Sequence, residues 1–170
     1  VEYGIDKIFA TSHLSSPDQL DLFLKKRSRR IEKLREEIDA LGINIELFPG
    51  AEVFVNDDVF YAKGLEKAAL NHSRYLLVEF DFNALSANRL IRYIEEIFSI
   101  GCVPVVAHPE RYKYLQKDYG IVNYLVEMDV LFQVNAGSLA SLGGREEFEL
   151  AYQMVLNNAA SFIATDSHSH

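Results

Sequence analysis

Apolar positions along the chain fall into two alternating rhythms. Short runs of consecutive, often β-branched or aromatic residues read as strands at Ile8–Thr11, Ile43–Phe48, Tyr75–Val78, Val103–Val106, Val130–Val134 and Phe162–Thr165. Helical spacing lies between them. Leu20, Leu24, Ile31, Leu34, Ile38 and Leu41 form one stripe of a long helix. Its expected start is Ser16-Pro17-Asp18-Gln19, where Ser16 can cap and Gln19 completes a capping box, and Gly42 is expected to end it. Ser86–Ile100 carries a second stripe (Leu90, Ile91, Ile94, Ile97, Phe98) stopped by Gly101. Ile121–Met128 and Arg145–Asn158 read as further helices, and Asn56–Leu70 as loop with a short helix. Strand and helix alternate throughout, which predicts an α/β fold with a parallel sheet or barrel, in one domain spanning residues 1–170.

The ends of the strand runs carry the chemistry. The first run leads to His13 and the second, through Pro49-Gly50, to Glu52. The third ends at Glu79, the fourth at His108, the fifth at Asn135, and the last at Asp166 with His168 two residues on. In a parallel βα architecture these ends share one face, where such folds place their active groups. A lone histidine at a strand end is ordinarily a satisfied core residue, but recurrence at five of six runs points to a shared metal site. Pro109 is expected to hold His108 in extended backbone where the fourth strand stops.

Composition narrows the class. Hydrophobic residues make up 49% of 170, enough for a sizeable core. No apolar run approaches the ~18 residues of a membrane span, and no secretory leader is visible. A net charge of −8 argues against a nucleic-acid or anionic-membrane binder. The single cysteine, Cys102, excludes an intrachain disulfide and fits a reducing compartment, so the cytoplasm is expected. Long helices and an acidic surface permit an oligomer without requiring one.

His, Asp and Glu donors without thiolate suit Mn2+, Fe or Zn2+. Two ions about 3.5–4 Å apart activate a shared water and clamp a phosphoryl group. Arg111, on the same loop as His108, suits phosphate oxygens, or else forms a structural salt bridge with a carboxylate such as Glu110. Cys102 belongs to no Cys-x5-Arg motif and reads as a small buried residue. Gly143-Gly144 lacks the residues of a P-loop, and no Gly-x-Ser-x-Gly elbow exists. The basic stretch Lys25–Arg30 reads as a solvated helix face, and His72 and Arg74 as structural. His170 is open between a ligand, a surface residue and appended sequence.

Several stretches together resemble the polymerase-and-histidinol-phosphatase (PHP) superfamily of metal-dependent phosphoesterases. They are Ala10–His13 (A-T-S-H), Gly50–Glu52 (G-A-E), Ser73–Phe80 (S-R-Y-L-L-V-E-F), Gly101–Tyr112 (G-C-V-P-V-V-A-H-P-E-R-Y), Phe132–Ser138 (F-Q-V-N-A-G-S) and Ile163–His168 (I-A-T-D-S-H). Within it the chain is most similar to bacterial tyrosine-protein phosphatases of capsule and exopolysaccharide operons. That resemblance implies metal ligation by His13, Glu52, Glu79, His108, Asp166 and His168, and catalytic roles for His108 and Arg111. It implies a distorted (β/α)7 TIM-like barrel, a cluster of two or three divalent ions, Mn2+ first, and hydrolysis by a metal-bound hydroxide. The implied substrate is a phosphotyrosine protein, a bacterial tyrosine kinase controlling polysaccharide synthesis. The family pattern also opens with an Asp-x-His-x-His strand and has a phosphate-binding arginine soon after the position of His168. Neither lies within residues 1–170, so a fragment lacking the first strand and the C-terminal end is expected. The alternatives are a PHP enzyme acting on a small ester such as histidinol phosphate, or a non-catalytic barrel with an incomplete cluster.

Overall fold

The computed structural model describes residues 4–16, 19–83 and 85–167. Val1–Tyr3, part of the stretch Val1–Gly4 that reads as a helix ending in the sequence, lie outside them, as do Pro17, Asp18, Ala84 and His168–His170. Strands are β1 (Lys7–Leu14), β2 (Glu46–Phe54), β3 (Tyr75–Glu79), β4 (Val103–Ala107), β5 (Leu131–Asn135) and β6 (Phe162–Ala164). Helices are α1 (Leu20–Ala40), α2 (Ala87–Ser99), α3 (Lys113–Lys117), α4 (Tyr119–Glu127), α5 (Ala136–Leu139) and α6 (Arg145–Leu156). The strands take the same order in the sheet as in the chain. Two compact units divide at Leu77–Val78, inside β3.

In the first unit β1 and β2 pair in parallel over their lengths, with Ala10 opposite Pro49, Thr11 opposite Gly50 and His13 opposite Glu52. The apolar run read from the sequence ends at Phe48, and β2 continues through Pro49 and Gly50 to Phe54. Close packing explains the glycine. A Cβ at Gly50 would stand 2.8 Å from Leu70 Cδ2 and 3.0 Å from Thr11 Cγ2, so a side chain there would require these neighbours to shift. Asn56–Leu70 and the residues after it form three 3-10 turns, Val59–Tyr61, Leu65–Ala68 and Leu70–His72. Helix α1 starts at Leu20, with Gln19 in the capping position and no side-chain cap, and Gly42 takes a left-handed φ of 63° just past its end.

In the second unit β4, β5 and β6 pair in parallel, with Val106 opposite Phe132 and Val134 opposite Ile163. Strand β4 is buried on both faces from Pro104 to Ala107, as its unbroken apolar run predicts. Helix α2 is capped by the Ser86 side chain, which accepts from the Arg89 N–H, and buries Leu90, Tyr93, Ile94 and Ile97. Each such side chain stabilises by roughly 1.5–3 kcal/mol. Phe132, Val134, Leu125 and Met154 complete this core. No helix among the described residues is long and apolar enough to cross a membrane.

Candidate metal centre

The first unit sets an imidazole beside a carboxylate. His13 is the penultimate residue of β1 and lies in register with Glu52 of β2, so both side chains leave the same face. His13 Nδ1 stands 3.3 Å from Glu52 Oε1. The imidazole is half exposed, whereas the Glu52 side chain is only 5% exposed. Carboxylates are rarely buried so deeply unless a cation or proton donor accompanies them.

The second unit repeats the pair with its burial reversed. Glu79 is the last residue of β3, and His108 follows β4 directly. His108 Nε2 lies 3.5 Å from Glu79 Oε1, with side-chain exposures of 2% and 19%. Contrary to the extended backbone expected before Pro109, His108 is left-handed, with φ 33° and ψ 55°. Edge-on packing of the buried imidazole against Phe82 and Tyr112 outweighs that local preference, and in the 3-10 turn that follows the Arg111 N–H donates to the His108 carbonyl at 3.0 Å. A non-glycine residue there stores strain of order 1–3 kcal/mol, and such strain concentrates at functional sites. Asp166, two residues past β6, is also left-handed at φ 49°.

Asn135 connects these strand ends, and the sequence pattern assigned it no role. Its side-chain Nδ2 donates to Asp166 Oδ2 at 2.9 Å, and its Oδ1 accepts from Gln133 Nε2 at 2.8 Å. Its backbone N–H donates to Glu110 Oε1 at 2.9 Å. Glu110 is fully buried, and burial pushes its carboxyl up from the usual range. The sole signal in the sequence was position: Asn135 ends a strand as the acids and histidines do.

Arg111 does not salt-bridge Glu110. Its guanidinium lies over the Phe82 ring, 4.6 Å from the centroid, and pairs with no carboxylate among the described residues. Phe82 in turn meets His108 edge-on at 5.6 Å and stacks on Tyr112 at 5.5 Å. Buried Tyr112 is pinned by the Phe80 N–H, which donates to its hydroxyl at 3.1 Å. Phe82 therefore holds Arg111 and His108 through one ring, a link the sequence did not reveal because aromatic residues this close to strand ends usually fill core.

His13 and Glu52 thus meet within one unit and Glu79 and His108 within the other, while Asp166 meets Asn135. His168 lies outside the described residues. Imidazole nitrogens and carboxylate oxygens without thiolate fit Mn2+, Fe or Zn2+, and a buried carboxylate gains most from such a charge. Cys102, buried just before β4, supplies nothing to these pairs.

A family model described as capsular polysaccharide synthesis, CpsB/CapC, matches residues 1–170. A putative tyrosine-protein phosphatase CapC of Staphylococcus aureus is 34% identical over 157 residues, covering 85% of this chain and 60% of the relative. Tyrosine-protein phosphatase YwqE of Bacillus subtilis is 28% identical over 176 residues, covering 99% and 66%. The chain therefore spans less than two thirds of the length of these relatives. Its fold matches a structure from a crystallographic study of Bacillus subtilis YwqE and Streptococcus pneumoniae CpsB, described as metal-dependent tyrosine phosphatases. The TM-score is 0.82 at 24% identity, over 99% of this chain and 68% of that one.

Proposed function

Because the chain belongs to the CpsB/CapC family of capsular polysaccharide synthesis, we propose that it is the greater part of a metal-dependent protein-tyrosine phosphatase. The observation that carries this reading is the pairing of imidazole with carboxylate at successive strand ends, His13 with Glu52 and Glu79 with His108. Relatives bearing the name tyrosine-protein phosphatase supply the substrate class.

In this reading residues 1–170 act as one domain of a (β/α)7 barrel, and His13, Glu52, Glu79, His108, Asp166 and His168 hold a cluster of two or three ions, Mn2+ first. When bound, such ions activate water and offset phosphoryl charge. The protein's own residues do the remainder. Asn135 fixes the orientation of the Asp166 carboxylate through its 2.9 Å bond. The strained His108 turn fixes the imidazole, and Phe82 holds the Arg111 guanidinium as a preformed fork for phosphate oxygens. The proposed substrate is phosphotyrosine on a bacterial tyrosine kinase of polysaccharide synthesis, and the proposed compartment is the cytoplasm.

The test compares a phosphotyrosine peptide with histidinol phosphate on Mn2+-loaded protein, before and after chelation. Chelator-sensitive hydrolysis favouring the peptide supports the reading. Preference for the small ester would select the other PHP chemistry, metal-independent turnover would overturn the metal-based reading, and absent turnover on both would select the non-catalytic barrel.

A further inference from the structure

Helix α1 carries an arginine where its apolar seam demands a core residue. Leu20, Leu24, Ile31, Leu34 and Ile38 follow steps of four and three residues, and Arg27 occupies the one seam position between Leu24 and Ile31. The structure buries it: Arg27 is 7% exposed. This corrects the expectation that Lys25–Arg30 is wholly a solvated face. One Nη2 N–H donates to the Lys67 carbonyl at 3.1 Å, and the ring of Phe23 lies 5.8 Å from the guanidinium carbon. Nε and Nη1 are buried with no hydrogen-bond partner. An arginine cannot shed its charge to escape this cost, although burial does lower its pKa from the ordinary arginine value. Three strong N–H donors therefore stand unanswered inside the first unit, which is rare in native structures.

Arg27 lines a cavity of about 140 Å3 together with Arg30, one turn along the helix, Ile31, Leu34, and Ala10 and Ser12 of β1. A single water needs about 10–15 Å3 of such space, so the cavity admits a larger occupant. Arg30 is exposed and forms no ion pair among the described residues, leaving two guanidinium groups with donors to spare. The walls contain no carboxylate to neutralise them. Ser12 and His13 leave opposite faces of β1, so this cavity lies on the other side of the strand from His13.

We propose that the cavity between α1 and β1 is a binding site for a small tetrahedral oxyanion of the phosphate class, held by Arg27 and Arg30. Charge and donor geometry select the ligand: a guanidinium fork matches paired oxyanion oxygens, and an oxyanion would satisfy the N–H groups that the fold leaves bare. The site is independent of the proposed phosphatase chemistry.

Inorganic phosphate titrated into chelator-treated protein tests it, with backbone amide shifts followed by two-dimensional NMR. Chelation keeps phosphate from binding through a metal. Saturable shifts at residues 10–12 and 27–34 are expected, with affinity about ten- to a hundredfold weaker in Arg30→Gln and no saturation in Arg27→Met. Should Arg27→Met fail to fold, Arg30→Gln decides alone. Absence of saturable shifts at these amides, or unchanged affinity in the variants, would overturn the proposal. Equal binding of acetate would also overturn it, because planar carboxylates would then satisfy the site as well.

Discussion

The two imidazole–carboxylate pairs are built with opposite anchors. In the first unit the carboxylate of Glu52 is sunk into β2 while His13 is half exposed on β1. In the second unit His108 is sunk at the end of β4, wedged edge-on against Phe82 and Tyr112, and Glu79 is the more open partner. A buried group is fixed by its neighbours, whereas an exposed one keeps rotamer freedom. Each pair therefore joins one buried donor to one more open donor. That arrangement suits ligands that must hold position yet follow a change in coordination.

The largest effect separating anchoring from chemistry is expected at Arg111, which leans on the same ring as buried His108. Arg111→Ala should lose about 10²–10³-fold in kcat, roughly 2.7–4 kcal/mol, while keeping its metal content. Arg111→Lys should recover only part, since an ammonium offers no fork. Kinetics and metal analysis on one preparation check this; metal lost along with activity would make Arg111 a structural residue.

The histidines come next and test the comparison itself. His108→Ala should destabilise by about 1–3 kcal/mol, because it empties a packed site and leaves a left-handed alanine. His13→Ala should stay within about 0.5 kcal/mol, as exposed substitutions do, yet still weaken metal binding. Denaturant unfolding of the metal-free variants reads the difference, and equal losses would dissolve the contrast.

Asn135 sharpens the account of the second unit. Asn135→Ala removes the bond to Asp166 but keeps the backbone bond to Glu110. Metal affinity should fall about 10–100-fold, as for other groups that orient a ligand, with a loss of about 1–3 kcal/mol in stability because buried Gln133 also loses its partner. Calorimetric Mn2+ titration measures it. Smallest of all, Cys102→Ser should leave turnover nearly unchanged while a chelator abolishes it, because no Cys-x5-Arg motif is present; an inactive, folded serine variant would contradict metal-based hydrolysis.

The ends of β3, β4 and β5 were legible because burial of their interiors forces unbroken apolar runs, and a polar residue can follow only where the run stops. That pattern is what nominates His13, Glu52, Glu79, His108 and Asp166. Local geometry was less legible. At His108 tertiary packing of the buried ring against Phe82 and Tyr112 overrides the extended preference set by Pro109. Pro49 and Gly50 lie inside β2, paired with Ala10 and Thr11 of β1, and Leu70 and Thr11 pack closely on Gly50. Helices α3 and α5 were missed because five and four residues are too short to show a period. Arg27 was hidden by its neighbours: within a run of basic residues, nothing in composition distinguishes the one that turns inward.

The most direct measurement is anomalous scattering from crystals of the Mn2+-loaded protein, collected at the manganese edge. Peaks within roughly 2.0–2.3 Å of side-chain donors of His13, Glu52, Glu79 and His108 are expected. Peaks elsewhere, or none at these four residues in protein that retains manganese, would contradict the assignment of the strand ends as its metal centre.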